Sequence, residues 1–111
     1  MKKNDKSRAR FDPALIKAIE KRDLKAIRER LATGADINAA PKGEVPALFV
    51  AVARGRLNVV EELIATGAQV NSVAYPTRGA SVKATPLSFA IDGGHWEITQ
   101  ALLKAGAQII H

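Results

Sequence analysis

The sequence predicts an all-α protein, a short solenoid of three stacked helix-turn-helix units. One observation is an internal repeat, because residues 33–38 (TGADIN) recur as residues 66–71 (TGAQVN) and more loosely as residues 105–110 (AGAQII). Another is the composition: only 5% of the residues are aromatic, whereas Ala, Ile, Leu and Val are plentiful. Small and aliphatic side chains favour close helix packing over a sandwich or barrel with large inward side chains.

The start of each unit is marked by a proline: Pro13, Pro46 and Pro86. Proline predicts where a first helix begins, because its fixed φ suits the first helical turn and its missing N–H is not needed there. Asp12 and Thr85 are predicted to cap the first and third units with a side-chain oxygen. Val45 offers no such oxygen, so we expect the second unit to begin less securely.

Apolar residues then recur at helical spacing, in two runs per unit. The first runs are Leu15, Ala18 and Ile19, then Leu48, Ala51 and Val52, then Leu87, Ala90 and Ile91. The second runs are Leu24, Ile27 and Leu31, then Leu57, Val60, Leu63 and Ile64, then Ile98, Ala101, Leu102 and Leu103. A glycine follows each second run, and Gly34, Gly67 and Gly106 are predicted to close these helices in the left-handed conformation.

These residues resemble the ankyrin repeat, whose pattern runs Thr-Pro-Leu-His-x-Ala-Ala, then Gly-His, an apolar helix and Gly-Ala-Asp-x-Asn. The third unit, TPLSFAIDGGHWEI over residues 85–98, is the most similar. The resemblance covers residues 12–110 and implies a solenoid with β-hairpin-type finger loops that binds other macromolecules. The chain departs from the pattern at Pro46, Ala47, Phe49, Ser88 and Ile110. We expect these departures to weaken local hydrogen bonds and to leave the fold unchanged.

The resemblance divides the chain into a basic N-terminal arm, residues 1–11, and a three-repeat domain, residues 12–111. The repeats run over about residues 12–44, 45–84 and 85–111. Terminal repeats need polar outer faces.

Two substitutions predict such faces, since Arg30 stands where the second unit has Leu63, and Thr99 where it has Val60. The residues 109–110, both Ile, are expected to fold back on the last helix, the alternative being that the natural chain continues.

The formal charge of +6 is concentrated at the N-terminus. Residues 1–30 hold eleven Lys or Arg and five Asp or Glu, whereas residues 31–111 hold six of each. Such a patch attracts an acidic partner, so nucleic-acid binding through residues 1–30 is the alternative function. Phe11 is the only aromatic residue there and no recognised binding motif is present, so a solvated, solubilising segment is the expected role.

The sequence offers little from which to build an active site. It has no cysteine and two histidines, which excludes a disulfide, a thiolate nucleophile and a cysteine-based zinc site. The resemblance assigns His95 to seating a helix turn and Trp96 to packing on the adjoining repeat. We therefore expect no catalytic residue, no metal and no cofactor. The absence of a signal-peptide run after the basic start predicts a cytoplasmic protein.

The connection between the second and third units is enlarged. The step along the chain from Gly67 to Gly106 is six positions longer than the step from Gly34 to Gly67. The extra length must lie in residues 72–84, which by resemblance form a finger loop. This is either a tolerated insertion, because added loop length costs little, or a contact with a partner, because loops on a rigid scaffold often carry binding residues.

The resemblance places recognition on the concave side, at the fingers and the exposed ends of the first helices. The predicted partner-binding residues are Tyr75, Thr77, Arg78 and Lys83 in the enlarged finger, Lys42 and Glu44 in the preceding one, and Lys21, Ala53, Arg54 and Asp92 at the helix ends. Tyr75 with Arg78 is the first choice, because both residue types are enriched at interface hot spots.

The sequence thus predicts a non-catalytic, monomeric module that binds a protein rather than nucleic acid or a membrane. An inhibitor or immunity protein of bacterial type and an adaptor are both compatible with it.

Overall fold

The structure is a computed structural model and describes residues 12–40, 45–74 and 83–108. Within them the chain forms six α-helices and no strand: α1 (Pro13–Glu20), α2 (Leu24–Ala32), α3 (Ala47–Ala53), α4 (Leu57–Ala65), α5 (Pro86–Asp92) and α6 (Trp96–Lys104). Each first helix packs on its own second helix, α3 packs on both α1 and α5, and α4 packs on α6. The predicted all-α solenoid of three stacked helix pairs is confirmed.

The first helices begin as their caps dictate. Asp12 Oδ1 accepts a hydrogen bond from the backbone N–H of Ala14 (3.0 Å), and α1 begins at the following proline. At α5, Thr85 Oγ1 accepts from the N–H of Ser88 (3.1 Å), and Ser88 Oγ accepts from the N–H of Thr85 (2.9 Å). At α3 the cap position is held by Pro46, which makes no side-chain bond. The caps predicted at Asp12 and Thr85 are confirmed, and α3 has no side-chain cap, although its cap position is Pro46 and not Val45.

Ser88 corrects one expectation. It stands where the family pattern has His, yet it does not weaken the local hydrogen bonds, because its hydroxyl completes a reciprocal capping box with Thr85.

The core is the seam between neighbouring units. The alanines of the first helices are buried there, at 5% exposure for Ala18 and 0% for Ala51 and Ala90. A side chain as small as Ala lets the helix backbones approach closely, and larger residues such as Ile19 and Val52 then fill the space beside them. Most of the predicted apolar runs are buried in this cluster, but Ile91 and Leu103 are exposed.

Polar contacts repeat across the unit boundaries. Arg28 of α2 donates two hydrogen bonds to the carboxylate of Glu62 in α4 (3.1 and 2.9 Å), and Arg54 of α3 pairs with Glu20 of α1 (3.0 Å). Asparagines join the closing turns, since Asn38 Oδ1 accepts from the N–H of Gln69 (2.9 Å). Asn71 repeats the arrangement one unit later, with the N–H of Gln108 (2.8 Å) and the carbonyl of Gly106 (3.1 Å). These bonds fix the register of the stack.

The two predicted polar ends differ. Arg30 behaves as expected, because its partly exposed side chain lies 3.3 Å from Asp12 Oδ2 on the outer side of the first unit. Thr99 does not, because it is only 4% exposed and its hydroxyl donates to the carbonyl of His95 (2.9 Å). The expectation of a polar outer face at Thr99 is therefore wrong: the hydroxyl is satisfied within its own helix.

Gly67 closes α4 at a φ of +110°, and Gly34 and Gly106 have φ of +105° and +101°, as predicted. A Cβ at residue 67 would meet no atom within 4 Å, so a substitution there tests backbone conformation alone. We expect Gly67→Val to lower the free energy of unfolding by more than about 1 kcal/mol, because a β-branched residue strongly disfavours positive φ. Urea denaturation measures the change.

The matched control is Ala65→Val, which places the same valine side chain at an exposed helical position. It should lower the free energy of unfolding by only roughly 0.5 kcal/mol. Equal effects of the two substitutions would contradict the assignment of a left-handed helix end at Gly67.

The capping box at α5 gives a second prediction. Thr85→Ala should destabilise the protein by about 1 kcal/mol, because the N–H of Ser88 loses its acceptor. Thr85→Ser keeps the hydroxyl and should remain within a few tenths of a kcal/mol of the wild type. Urea denaturation measures the unfolding free energy of both variants. If Thr85→Ser is destabilised as much as Thr85→Ala, the cap contributes nothing to stability.

The Arg28–Glu62 pair predicts a pH dependence. Hydrogen bonds from Arg28 hold the pKa of the Glu62 carboxyl below its ordinary value, and the carboxylate raises the pKa of Arg28. A carboxyl whose pKa is lower in the folded state than in the unfolded state stabilises the fold at pH values above its unfolded pKa. This stabilisation is lost as the pH falls through its folded pKa. The difference in unfolding free energy between wild type and Glu62→Gln should therefore be larger at about pH 7 than at about pH 3.

Glu61→Gln, which removes one negative charge from the adjacent position, is the control for general charge effects in the same denaturation series. The ion pair would be ruled out as the cause if the loss of unfolding free energy in Glu62→Gln did not change with pH. It would also be ruled out if that loss changed no more with pH than the loss in Glu61→Gln.

Candidate functional site

The enlarged connection of residues 72–84 has a fixed base. Ala74 and Ala84 form an antiparallel bridge, in which each backbone N–H donates to the other's carbonyl (2.9 and 2.7 Å). Both residues are buried. The two ends of the segment 75–82 therefore start from one place on the scaffold.

An aromatic pair holds this base. The rings of Phe49 in α3 and Phe89 in α5 meet edge to face, with centroids 5.2 Å apart and planes at 89°, the geometry that aromatic quadrupoles favour. Phe49 is fully buried and packs with Ala74 and Ala84 in a small cluster separate from the main core. The Phe that stands at the family's His position thus anchors the finger to two neighbouring units, a role that the sequence alone did not suggest.

The structure places the predicted partner-binding residues in different regions. Lys83 is exposed beside the finger base, just before α5. Five of the predicted residues lie outside the described part of the chain: Lys42, Glu44, Tyr75, Thr77 and Arg78.

The remaining four predicted residues are exposed at the C-terminal ends of the first helices: Lys21, Ala53, Arg54 and Asp92. The length of α5, seven residues, separates Asp92 from the finger base by about 10 Å. Arg54 forms the ion pair with Glu20, and its side chain remains half exposed. These residues give the helix ends a mixed charge.

His95 has the structural role that the resemblance assigns to it. A Cβ at Gly55 would lie 2.9 Å from His95 Cε1, and one at Gly93 would lie 2.7 Å from Cδ2. The imidazole therefore occupies the space between the turn of its own unit and the turn of the preceding one. Only glycine leaves room for it at both positions, which links the two turns sterically.

Trp96 contradicts its expectation. It opens α6 as predicted, but its side chain is 69% exposed, so it is not packed away as expected. It lines an open groove together with Gly55 and Leu57 of the second unit. Its counterpart in the second unit, Leu57, is partly buried against the main core.

Residues 12–40, 45–74 and 83–108 contain no group of three His, Cys, Asp or Glu side chains that could hold a metal ion. In the same residues, every helix is too short or too polar to cross a membrane.

Comparison with known protein families agrees with this geometry. The family model described as ankyrin repeats (many copies) matches residues 15–64, and the one described as ankyrin repeat matches residues 83–111. No curated protein is similar enough to count as a match. Proteins of this kind generally mediate protein–protein interaction and are typically non-catalytic. With three stacked helix pairs, glycine-closed second helices and two family matches, the chain belongs to the ankyrin-repeat family.

Proposed function

We propose that this protein is a cytoplasmic, non-catalytic module that binds one protein partner through its concave side, using the enlarged finger and the ends of the first helices. Its role is that of an inhibitor or immunity protein or of an adaptor. The observation that carries the proposal is the Ala74–Ala84 bridge, because it joins the added residues to the packed aromatic pair of α3 and α5. A binding loop on a rigid base loses less conformational freedom when it binds.

The helix ends support a protein partner. Lys21, Arg54 and Asp92 present both signs of charge on neighbouring units. A mixed surface of this kind gives specificity towards a partner with its own mixed charges, whereas a polyanion would require one sign.

Two observations weigh against the nucleic-acid alternative. Among the described basic residues before position 31, Arg28 is paired with Glu62 and Arg30 with Asp12. Their charges are partly neutralised within the fold, which leaves fewer cations to release counterions from phosphate groups. RNA or DNA binding that falls steeply with salt and is lost on deletion of residues 1–10 would instead favour this alternative.

The finger is tested by the double variant Tyr75→Ala with Arg78→Ala. A partner captured by affinity purification and identified by mass spectrometry is purified, and its Kd for the wild type and the variant is measured. We expect binding to be lost, at least about a hundredfold, because two hot-spot side chains are removed. We expect helicity and melting temperature to stay nearly unchanged, and circular dichroism measures both.

The matched control removes an exposed aromatic residue and a cation from α6 by Trp96→Ala with Lys104→Ala. It should bind the partner as the wild type does. Wild-type affinity of the finger variant would exclude the finger as the binding site, and equal losses in both variants would show a non-specific effect.

A further inference from the structure

A groove of about 400 Å³ runs between the second helices of the second and third units. The side chains that line it from α4 and α6 include Leu57, Glu61, Ile64, Glu97, Ala101 and Lys104. Leu57, Ile64 and Ala101 are partly buried and give the groove an apolar floor, whereas Glu61 and Glu97 are exposed. This α4–α6 groove contains none of the residues assigned above to the finger or to the ends of the first helices, so it is a separate surface.

The internal repeat shows what is different at the α4–α6 groove. When the units are aligned at their closing glycines, Glu61 corresponds to Arg28, and Ala101 corresponds to Glu62. Between the first two units, Arg28 donates two hydrogen bonds to the carboxylate of Glu62 and so bridges the second helices. Between the next two units, a carboxylate replaces the guanidinium and a methyl group replaces the carboxylate. The bridging ion pair therefore has no equivalent here, and Glu61 stands beside an apolar floor.

The groove is negative in the part that Glu61 and Glu97 line. Neither carboxylate forms an ion pair with a side chain of residues 12–40, 45–74 or 83–108. Lys104 also lines the groove, but it lies about two turns beyond Glu97 along α6. The chain as a whole carries a charge of +6, so this negative strip is a local feature. An occupant that is complementary to it brings positive charge.

An exposed aromatic ring adjoins the same groove. Trp96, which is 69% exposed, lines a smaller groove that shares Leu57 and Glu97 with the first one. A guanidinium is planar, so it can stack on an indole ring and donate hydrogen bonds to a carboxylate at the same time. An ammonium group is a compact, strongly hydrated charge and combines these two contacts less well. Trp96 beside Glu97 therefore favours arginine over lysine.

We propose that the α4–α6 groove docks an arginine-containing peptide segment of a partner protein. One arginine pairs with Glu61, as Arg28 pairs with Glu62 one unit earlier. A second arginine stacks on Trp96 and pairs with Glu97. An aliphatic side chain between the two arginines contacts the apolar floor. This docking site is additional to the finger and does not depend on it.

The first test uses the full chain, isotope-labelled for NMR, and the end-blocked peptide Gly-Arg-Leu-Arg-Gly. Amide resonances of α4 and α6 and the indole N–H of Trp96 should shift with a Kd of about 1 mM, because so small a contact is weak. Gly-Lys-Leu-Lys-Gly should bind more weakly, and Gly-Glu-Leu-Glu-Gly should cause no shift. The proposal is overturned if the arginine peptide causes no shift up to about 10 mM. Equal shifts with the acidic peptide, or shifts confined to other helices, would overturn it as well.

The carboxylates are tested by Glu61→Gln and Glu97→Gln, which keep the size of the side chain. Each should weaken binding of the arginine peptide by about threefold, because one charge is removed. The matched control is Glu29→Gln, an exposed carboxylate on α2 outside the groove, which should leave the Kd unchanged. Wild-type affinity of both groove variants, or an equal loss in the control, would contradict the proposal.

A double variant closes the groove from within. Glu61→Arg with Ala101→Glu recreates the arrangement of Arg28 and Glu62, so the peptide should no longer shift the resonances of α4 and α6. Circular dichroism checks that the variant keeps the wild-type helicity. Undiminished peptide binding by this folded variant would show that the arginines do not occupy the groove.

Two other occupants would give different results without any peptide. A second copy of the chain would shift the resonances of α4 and α6 as the protein concentration rises. The chain's own basic segment would shift them when residues 1–10 are deleted. Either result would overturn the assignment of the groove to a partner protein.

Discussion

Close packing of the first helices is the contact on which the rest of the structure depends. None of the three helix pairs can bury its apolar side alone, so each needs a neighbour. The alanines at positions 18, 51 and 90 bring α1, α3 and α5 close enough for one continuous core to form. The charge pairs and asparagine bonds between units act only at the short separation that this core sets. These polar contacts help to align neighbouring units, and burial of the apolar seam contributes most of the stability.

The same packing produces the candidate binding surface. Because α3 and α5 lie side by side, Phe49 and Phe89 meet, and the base of the enlarged finger rests on both. The helix ends of all three units then share one side of the stack, with Arg54 oriented by Glu20 of the preceding unit. The proposed protein-binding role is based on the base of the finger and the helix ends, which are carried by one scaffold.

Local rules predicted some features correctly and failed where a position depends on its neighbour. The caps at Asp12 and Thr85 and the left-handed Gly67 were predictable, because each depends on atoms close by in the chain. Thr99 and Trp96 were predicted wrongly. Whether a helical residue is covered depends on what packs across from it, and the apolar pattern of α6 resembles that of α4 although the exposure of the corresponding residues differs.

The number of helix pairs, their approximate limits and the family were predictable from the sequence, because period, proline, glycine and apolar spacing are local and recur in one order. It also located the enlarged connection from the change of repeat length. The contact of Phe49 with the base of this connection and the pairing of Arg28 with Glu62 became visible only in the folded chain. Both features join residues that are far apart in the sequence, and such contacts are not encoded in the spacing along one helix.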